Sequence, residues 1–222
     1  MSPRAFVVAL AFVALACGVQ GVSLGSEEAC AVEGGLVEAQ EASGTALLPA
    51  CASIGQNQLV NHGMESPGLS SLSDCSMEFC QVGAIQVSGW RTTSESQVIE
   101  LWADGYWGVP APEGAQFVEL DAATPDTLYQ DLVLVPRELV YWSVRHRGRL
   151  GDESIEVLLG PPDSPRSQGL FTSSDQAWRE YSGIYRVGGD EAITRFSLAS
   201  RTGTTEGNLV DDAVLAPIQL PQ

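Results

Sequence analysis

From Leu59 onward the chain is a series of short runs in which apolar and polar residues alternate, separated by clusters of Gly, Pro, Asp and Ser. A period of two sends successive side chains to opposite faces of a strand. The runs are CQVGAIQVSGW (80–90), QVIELW (97–102), QFVELDA (116–122), TLYQDLVLV (127–135), LVYWSVRHR (139–147), SIEVLLG (154–160), WREYSGIYRV (178–187), AITRFSLASR (192–201) and NLVDDAVLA (208–216). No segment repeats apolar residues at the i, i+3, i+4, i+7 spacing of a helix for three turns. About nine strands with no helices between them predict an all-β domain, an antiparallel sandwich or barrel, over residues 58–217. Residues 218–222 are left as a tail.

The alternation also assigns faces. In 139–147 it sends Val140, Trp142, Val144 and His146 to one side, which is core-facing, so His146 is expected as a satisfied polar residue at the end of the core. Tyr141, Ser143, Arg145, Arg147 and Arg149 go to the other side. There the arginines meet either acidic neighbours (Glu100, Glu119, Asp121, Asp152, Glu153) or a hydroxyl-rich or acidic sugar. Trp90, Trp142 and Trp178 fall in strand alternation and are expected in the core. The loop in LWADGYWGVP (101–110) instead gathers Trp102, Tyr106 and Trp107, and large aromatics in a loop are either folded back on the sheet or used to bind.

Before residue 58 the pattern is different. Arg4 followed by the twelve-residue apolar run AFVVALAFVALA (5–16) has the form of a secretory signal peptide, 1–16, too short to span a bilayer as a helix. Residues 17–57 are rich in Gly, Ala, Ser and Glu without a sustained period and are expected to be a linker. Cys30, Cys51, Cys75 and Cys80 form an even set, as in an exported protein with two disulfides. Cys75 and Cys80 are close enough to close a small loop, which leaves Cys30 for Cys51, although four cysteines allow three connectivities. Cys17 has two readings. ALAC resembles a bacterial lipobox, whose cysteine is lipidated and tethers the protein to a membrane; otherwise Cys17 is lost with the signal peptide.

Charge narrows the partners. The net charge is −17, all eleven cations are arginines, and there are 28 acids, which argues against a nucleic-acid partner. The same carboxylates suit calcium, which takes about six to eight oxygen ligands. If the first and last strands of the domain pair, Glu65 of QLVNHGMESPG (58–68) comes near Asp211 and Asp212 of GNLVDDAVL (207–215). Alternation predicts that these two aspartates point to opposite faces. Carbonyls of the Asn61–His62–Gly63 turn complete a candidate calcium site. Enzyme signatures are sparse. There is no Gly-x-Ser-x-Gly elbow, no zinc-type Cys/His spacing and no phosphate loop. Glu100 and Glu119, on adjacent expected strands, are the one carboxylate pair of the kind a small all-β glycosidase uses.

LVNHGMESPG resembles the L-V-x-N-G-S/D-F-E-x-P opening of extracellular galactose-binding-like jelly rolls, and NLVDDAVL resembles their closing x-I/L-D-D/N-V-x-L. With SGW (88–90), IELW (99–102), GAQFVELDA (114–122), LYQDL (128–132) and HRGRLGDE (146–153), the set is similar to a bacterial secreted branch related to a plant cell-wall family of unknown function. The resemblance covers about residues 58–216. It implies a carbohydrate-binding-module-like jelly roll, with a structural calcium held by Glu65, Asp211 and backbone oxygens near Asn61 and Gly63. The functional expectation is a secreted or surface-tethered, non-catalytic module that binds a glycan or cell-wall polysaccharide. Trp102, Tyr106 and Trp107 would stack on sugar, and Arg147 and Arg149 would supply polar contacts. A structural or adhesive module that contacts protein, and a small glycosidase, are the alternatives.

Overall fold

A computed structural model describes residues 36–41, 44–49, 52–122, 125–203 and 206–220. The expected signal peptide, Cys17 and the Cys30–Cys51 pair lie outside the described residues. The strands are β1 (Leu36–Glu41), β2 (Gly44–Pro49), β3 (Ser53–Ile54), β4 (Phe79–Gly83), β5 (Arg91–Thr92), β6 (Val98–Ala103) and β7 (Gln116–Glu119). They continue with β8 (Thr127–Leu132), β9 (Leu139–Arg147), β10 (Glu153–Gly160), β11 (Arg166–Ser173), β12 (Arg179–Arg186), β13 (Thr194–Ser200) and β14 (Leu209–Gln219). All pairings are antiparallel. One sheet runs β11-β10-β13-β8-β5, the other β12-β9-β14-β7-β6-β4 with β3 also on β14. The expected sandwich of jelly-roll type is therefore the fold.

The two sheets meet through the residues that alternation sent inward. Val140, Trp142 and Val144 of β9, Ile155, Val157 and Leu159 of β10, Phe196 and Leu198 of β13, and Trp90 are all fully buried in one core. Burying a side chain of this size contributes about 1.5–3 kcal/mol each. Gly183 of β12 is the register partner of Trp142, and a Cβ there would lie 2.7 Å from the indole, so the ring lies flat across the glycine backbone.

Several boundaries differ from expectation. Of the 80–90 run only Cys80–Gly83 is strand, within β4; a 3-10 turn, Ala84–Gln86, follows, and β5 begins after the run at Arg91. β11 was not expected: in RSQGLFTS most positions are exposed or half-buried, as fits the last strand of its sheet, which carries no alternating apolar face. The 17–57 segment is not without strands. β1 pairs with β2 as a hairpin, and Ser53–Ile54 pairs with Ile218–Gln219 of β14, so the sheet takes up part of the expected tail as well. At and just before the expected domain start, Gln58 and Gly55 donate from their backbones to Leu215 and Pro217 at 2.7 and 2.8 Å. The two ends of the domain thus do run side by side.

His146 sits where expected, fully buried at the end of the core, with Nε2 2.9 Å from Asn208 Oδ1. Its Nδ1 has no protein partner. Asn208, in the left-handed region (φ 57°), also donates to Asp121, Ser200 and Thr202, so one amide just before β14 joins the end of β9 to the segments that follow β7 and close β13. Burial pushes the imidazole down to about 4 and the Asp121 carboxyl up to about 6. For His146 the folded pKa is below the unfolded one, so its contribution is present above about 6.5 and lost as pH falls toward 4. Between those limits the wild type should lose on the order of 3 kcal/mol relative to His146→Gln, read as the difference between two denaturation-versus-pH profiles. Parallel profiles would show that the ring titrates normally.

Candidate functional site

Only one face of each sheet points into the core. On the other face of the β4-containing sheet, Phe79 and Gln81 (β4), Glu100 and Trp102 (β6), Phe117 and Glu119 (β7) and Leu209 (β14) line up across the strands. The chain between β6 and β7 folds back over this face. Trp102, Val109, Phe117 and Leu209 form a second, separate apolar cluster beneath it, with Tyr106, Ala111 and Trp178 packed around. This corrects two expectations. Trp102 is not an open stacking platform but is 1% exposed, because the returning loop covers it. Trp178 belongs to this outer cluster rather than the core, edge-on to Phe117 at 5.4 Å and donating from Nε1 to the Pro110 carbonyl.

Trp107 behaves differently. It is 63% exposed, at the crest of the 3-10 turn Tyr106–Gly108, with φ 53° and ψ 23°. A bulky residue in the left-handed region is uncommon and costs roughly 1–2 kcal/mol. Arg149 lies against it, its guanidinium carbon 4.7 Å from the Trp107 ring centroid and 4.9 Å from that of Trp102. Arg149 Nη1 also pairs with Glu119 Oε1 at 2.9 Å, and Glu119 accepts the Gly207 N–H as well. Burial drives the Glu119 carboxyl up to about 7, against the pull of Gly207 and Arg149.

The three arginines of the 145–149 stretch separate into three tasks. Arg145 bridges Asp212 at 3.0 Å and Glu180 at 3.3 Å, a cross-strand tie. Arg147 donates to the Asp175 carbonyl in the turn between β11 and β12. Arg149 alone reaches the aromatics. Glu100 and Glu119 are direct register partners on the outer face, as the glycosidase alternative requires. Both are buried and engaged, however: Glu100 accepts from Trp102 Nε1 at 2.7 Å and from Gln81 at 2.8 Å. They hold the aromatic and cationic groups in place instead of facing solvent as an acid and a nucleophile.

The expected calcium ligands also separate. A bulge in β14 between Asp211 and Val214, with Asp212 at φ 47°, puts both aspartates on the outer side, not on opposite faces. Asp212 is taken by Arg145. Asn61 locks its own turn, accepting the Ser66 N–H and donating to the Ser66 and Ser88 carbonyls, while its backbone carbonyl accepts Trp90 Nε1. Glu65 caps the Ala115 and Gln116 N–H groups. Asp211 remains. It is fully buried, accepts the Asp212 and Glu113 N–H groups, and has its carboxyl pushed up to about 8, chiefly by burial. Glu113, whose loop position carries no periodic signal in the sequence, packs its carboxylate on the Gly63 backbone. A Cβ at 63 would lie 1.9 Å from its Oε2. Two acids and a turn backbone therefore converge, a donor set that suits a hard cation. Among the described residues no cluster of three or more Asp, Glu, His or Cys side chains forms a metal site.

No protein-family model matches the chain, and no curated protein is significantly similar. Solved structures are. A Stig cyclase, FisC, from Fischerella sp. TAU is 14% identical over 77% of this chain and all of its own, with a TM-score of 0.54. A family 61 carbohydrate-binding module, TmCBM61, in complex with β-1,4-galactotriose is 17% identical over 72% of this chain and 98% of its own, at 0.48. The C-terminal family 22 module of Clostridium thermocellum Xyn10B is 17% identical over 59% and 87%, at 0.46. The likeness to the cyclase shows a shared all-β sandwich fold. At such identities no chemistry is carried over.

If Trp107 is displayed at the cost of backbone strain, Trp107→Gly should melt within a few degrees of wild type, since relief of φ offsets the lost ring contacts. Trp102→Ala, emptying a buried site, should lose about 3–5 kcal/mol. Comparable losses in both variants would make Trp107 a packing residue.

Proposed function

We propose that the protein is a non-catalytic glycan-binding module whose contact surface is the Trp107–Arg149 crest. The observation that carries this reading is the exposed Trp107 indole, held in a left-handed backbone conformation and backed by a guanidinium that is itself fixed by Glu119. A flat, rigid aromatic face suits the C–H face of a pyranose, and the remaining Arg149 N–H groups suit ring hydroxyls. Tyr106 supports the indole from beside it, with ring centroids 6.1 Å apart. The Cys75–Cys80 disulfide supports an oxidising, extracellular setting.

The test is retention on insoluble polysaccharides, followed by titration with the soluble fragments of whichever is bound. Trp107→Ala should weaken binding about tenfold or more, equivalent to about 1.4 kcal/mol, in a protein that remains folded. Equal binding by wild type and Trp107→Ala, or no retention of folded protein on any polysaccharide, contradicts the reading.

We further propose that a structural calcium is held by Asp211 and Glu113 with the Gly63 carbonyl, since the Asn61 and His62 carbonyls already accept backbone or indole N–H groups. It would neutralise the buried Asp211, whose charge burial disfavours, with the exposed Glu113 as a second carboxylate. Calcium at about 100 times its dissociation constant would add about 2.7 kcal/mol, a rise of several degrees in melting temperature over chelator-treated protein. Asp211→Asn should abolish that rise. A melting curve indifferent to calcium and chelator removes the site.

A further inference from the structure

β4 is the last strand of its sheet, and a groove of about 490 Å³ runs along its free edge, between it and residues 71–76. Its lining is mixed: Cys80 and Val82 are buried in the core, Leu72 packs half-buried against it, and Phe79 is the exposed apolar side chain. Its rim is polar and exposed, carrying Ser71, Ser73, Asp74, Ser76 and Gln86. The Cys75–Cys80 disulfide ties the far wall to the strand. Phe79, 38% exposed, lines one end.

That phenyl ring connects the groove to the crest. Phe79 stacks on Tyr106 with centroids 5.5 Å apart and planes 14° from parallel, and Tyr106 is 6.1 Å from Trp107. Three aromatic rings in succession thus lead from the exposed indole to the groove. Free strand edges commonly accept another strand, but this one is blocked. Ser76 Oγ accepts the Phe79 N–H and donates to its carbonyl, and the disulfide crosses the same edge. What stays open is a shallow groove that carries the Phe79 ring with hydroxyl and amide groups around it, within the roughly 300–1,000 Å³ of small-molecule sites.

We infer that the binding surface continues from Trp107 over Tyr106 and Phe79 into this groove, and that its ligand is a neutral, linear polysaccharide engaged along several rings. The inference rests on the glycan reading above. Neutrality follows from charge: a net −17 repels polyanions, and the cation at the crest, Arg149, is already paired with Glu119. Linearity follows from the layout, since the aromatic path and the groove form one track and a branch would meet the rim. The outer rings of a longer chain would lie on Phe79, with their hydroxyls against Ser73 and the amide hydrogens of Gln86, whose Oε1 is taken by the Gly83 N–H.

The experiment is calorimetric titration of the full chain with neutral β-1,4-linked gluco-, xylo-, manno- and galacto-oligosaccharides, from disaccharide to hexasaccharide. For the series that binds, wild-type affinity should rise about tenfold between trisaccharide and hexasaccharide. Phe79→Ala should lose that gain while keeping trisaccharide affinity. Ser73→Trp, which fills the groove from its exposed rim, should do the same. Trp107→Ala should weaken every length. If Phe79→Ala and Ser73→Trp follow wild type at every length while Trp107→Ala is weakened, the surface ends at the crest and the extension is wrong. If no series binds wild type, the extension and the glycan reading both fail.

Discussion

The outer face of the larger sheet depends on one ion pair taken almost out of water. Arg149 and Glu119 meet at 2.9 Å with side chains 13% and 2% exposed. Removing two charges from water costs several kcal/mol per ion, and attraction alone rarely recovers it. Here other groups share the cost: the Gly207 N–H serves the carboxylate, and two indole faces receive the guanidinium. The arginine in turn joins the buried Trp102 below to the exposed Trp107 beside it. Without the pair, the β6–β7 loop would have apolar packing but nothing to set the angle of its crest.

A second polar device closes the end of the sandwich near the same residues. Glu153 accepts the Arg149, Leu150 and Asn208 backbone N–H groups, and Asn208 carries the network on to His146 and Asp121. The turn that presents Arg149 is thus anchored through Glu153 to the start of β14. Site and fold share these hydrogen bonds, so the position of the arginine is a property of the core's end and not of a free loop. That coupling suits a rigid binding surface, where little ordering remains to be done when a ligand arrives.

Much of the fold was legible because alternation encodes it directly. LVYWSVRHR sorts into Val140, Trp142, Val144 and His146 inside, with Arg145 and Arg147 outside, as in the structure. What alternation cannot encode is whether an outward face is wet. For Trp102, grouped with the loop aromatics, the sequence leaves folded back and open to a ligand as alternatives, because the cover comes from a loop whose path no period predicts. A local change of period defeats the method altogether: the Asp211–Val214 bulge brings to one side two aspartates that a regular strand would separate. β11 was invisible for the opposite reason, being an edge strand with little apolar surface to sign it. Glu113 gave no signal because its importance comes from a long-range approach to Gly63 and Asp211.

The central claim is that Trp107 alone among the tryptophans is presented for a ligand. The most direct measurement follows the five indole N–H resonances by NMR during titration with fragments of a retained polysaccharide. The account predicts a saturable shift of the Trp107 signal, a smaller one for Trp102 beneath the shared arginine, and none for Trp90 and Trp142 in the core. Saturable shifts confined to core tryptophans, or binding that leaves the Trp107 resonance unmoved, would contradict it.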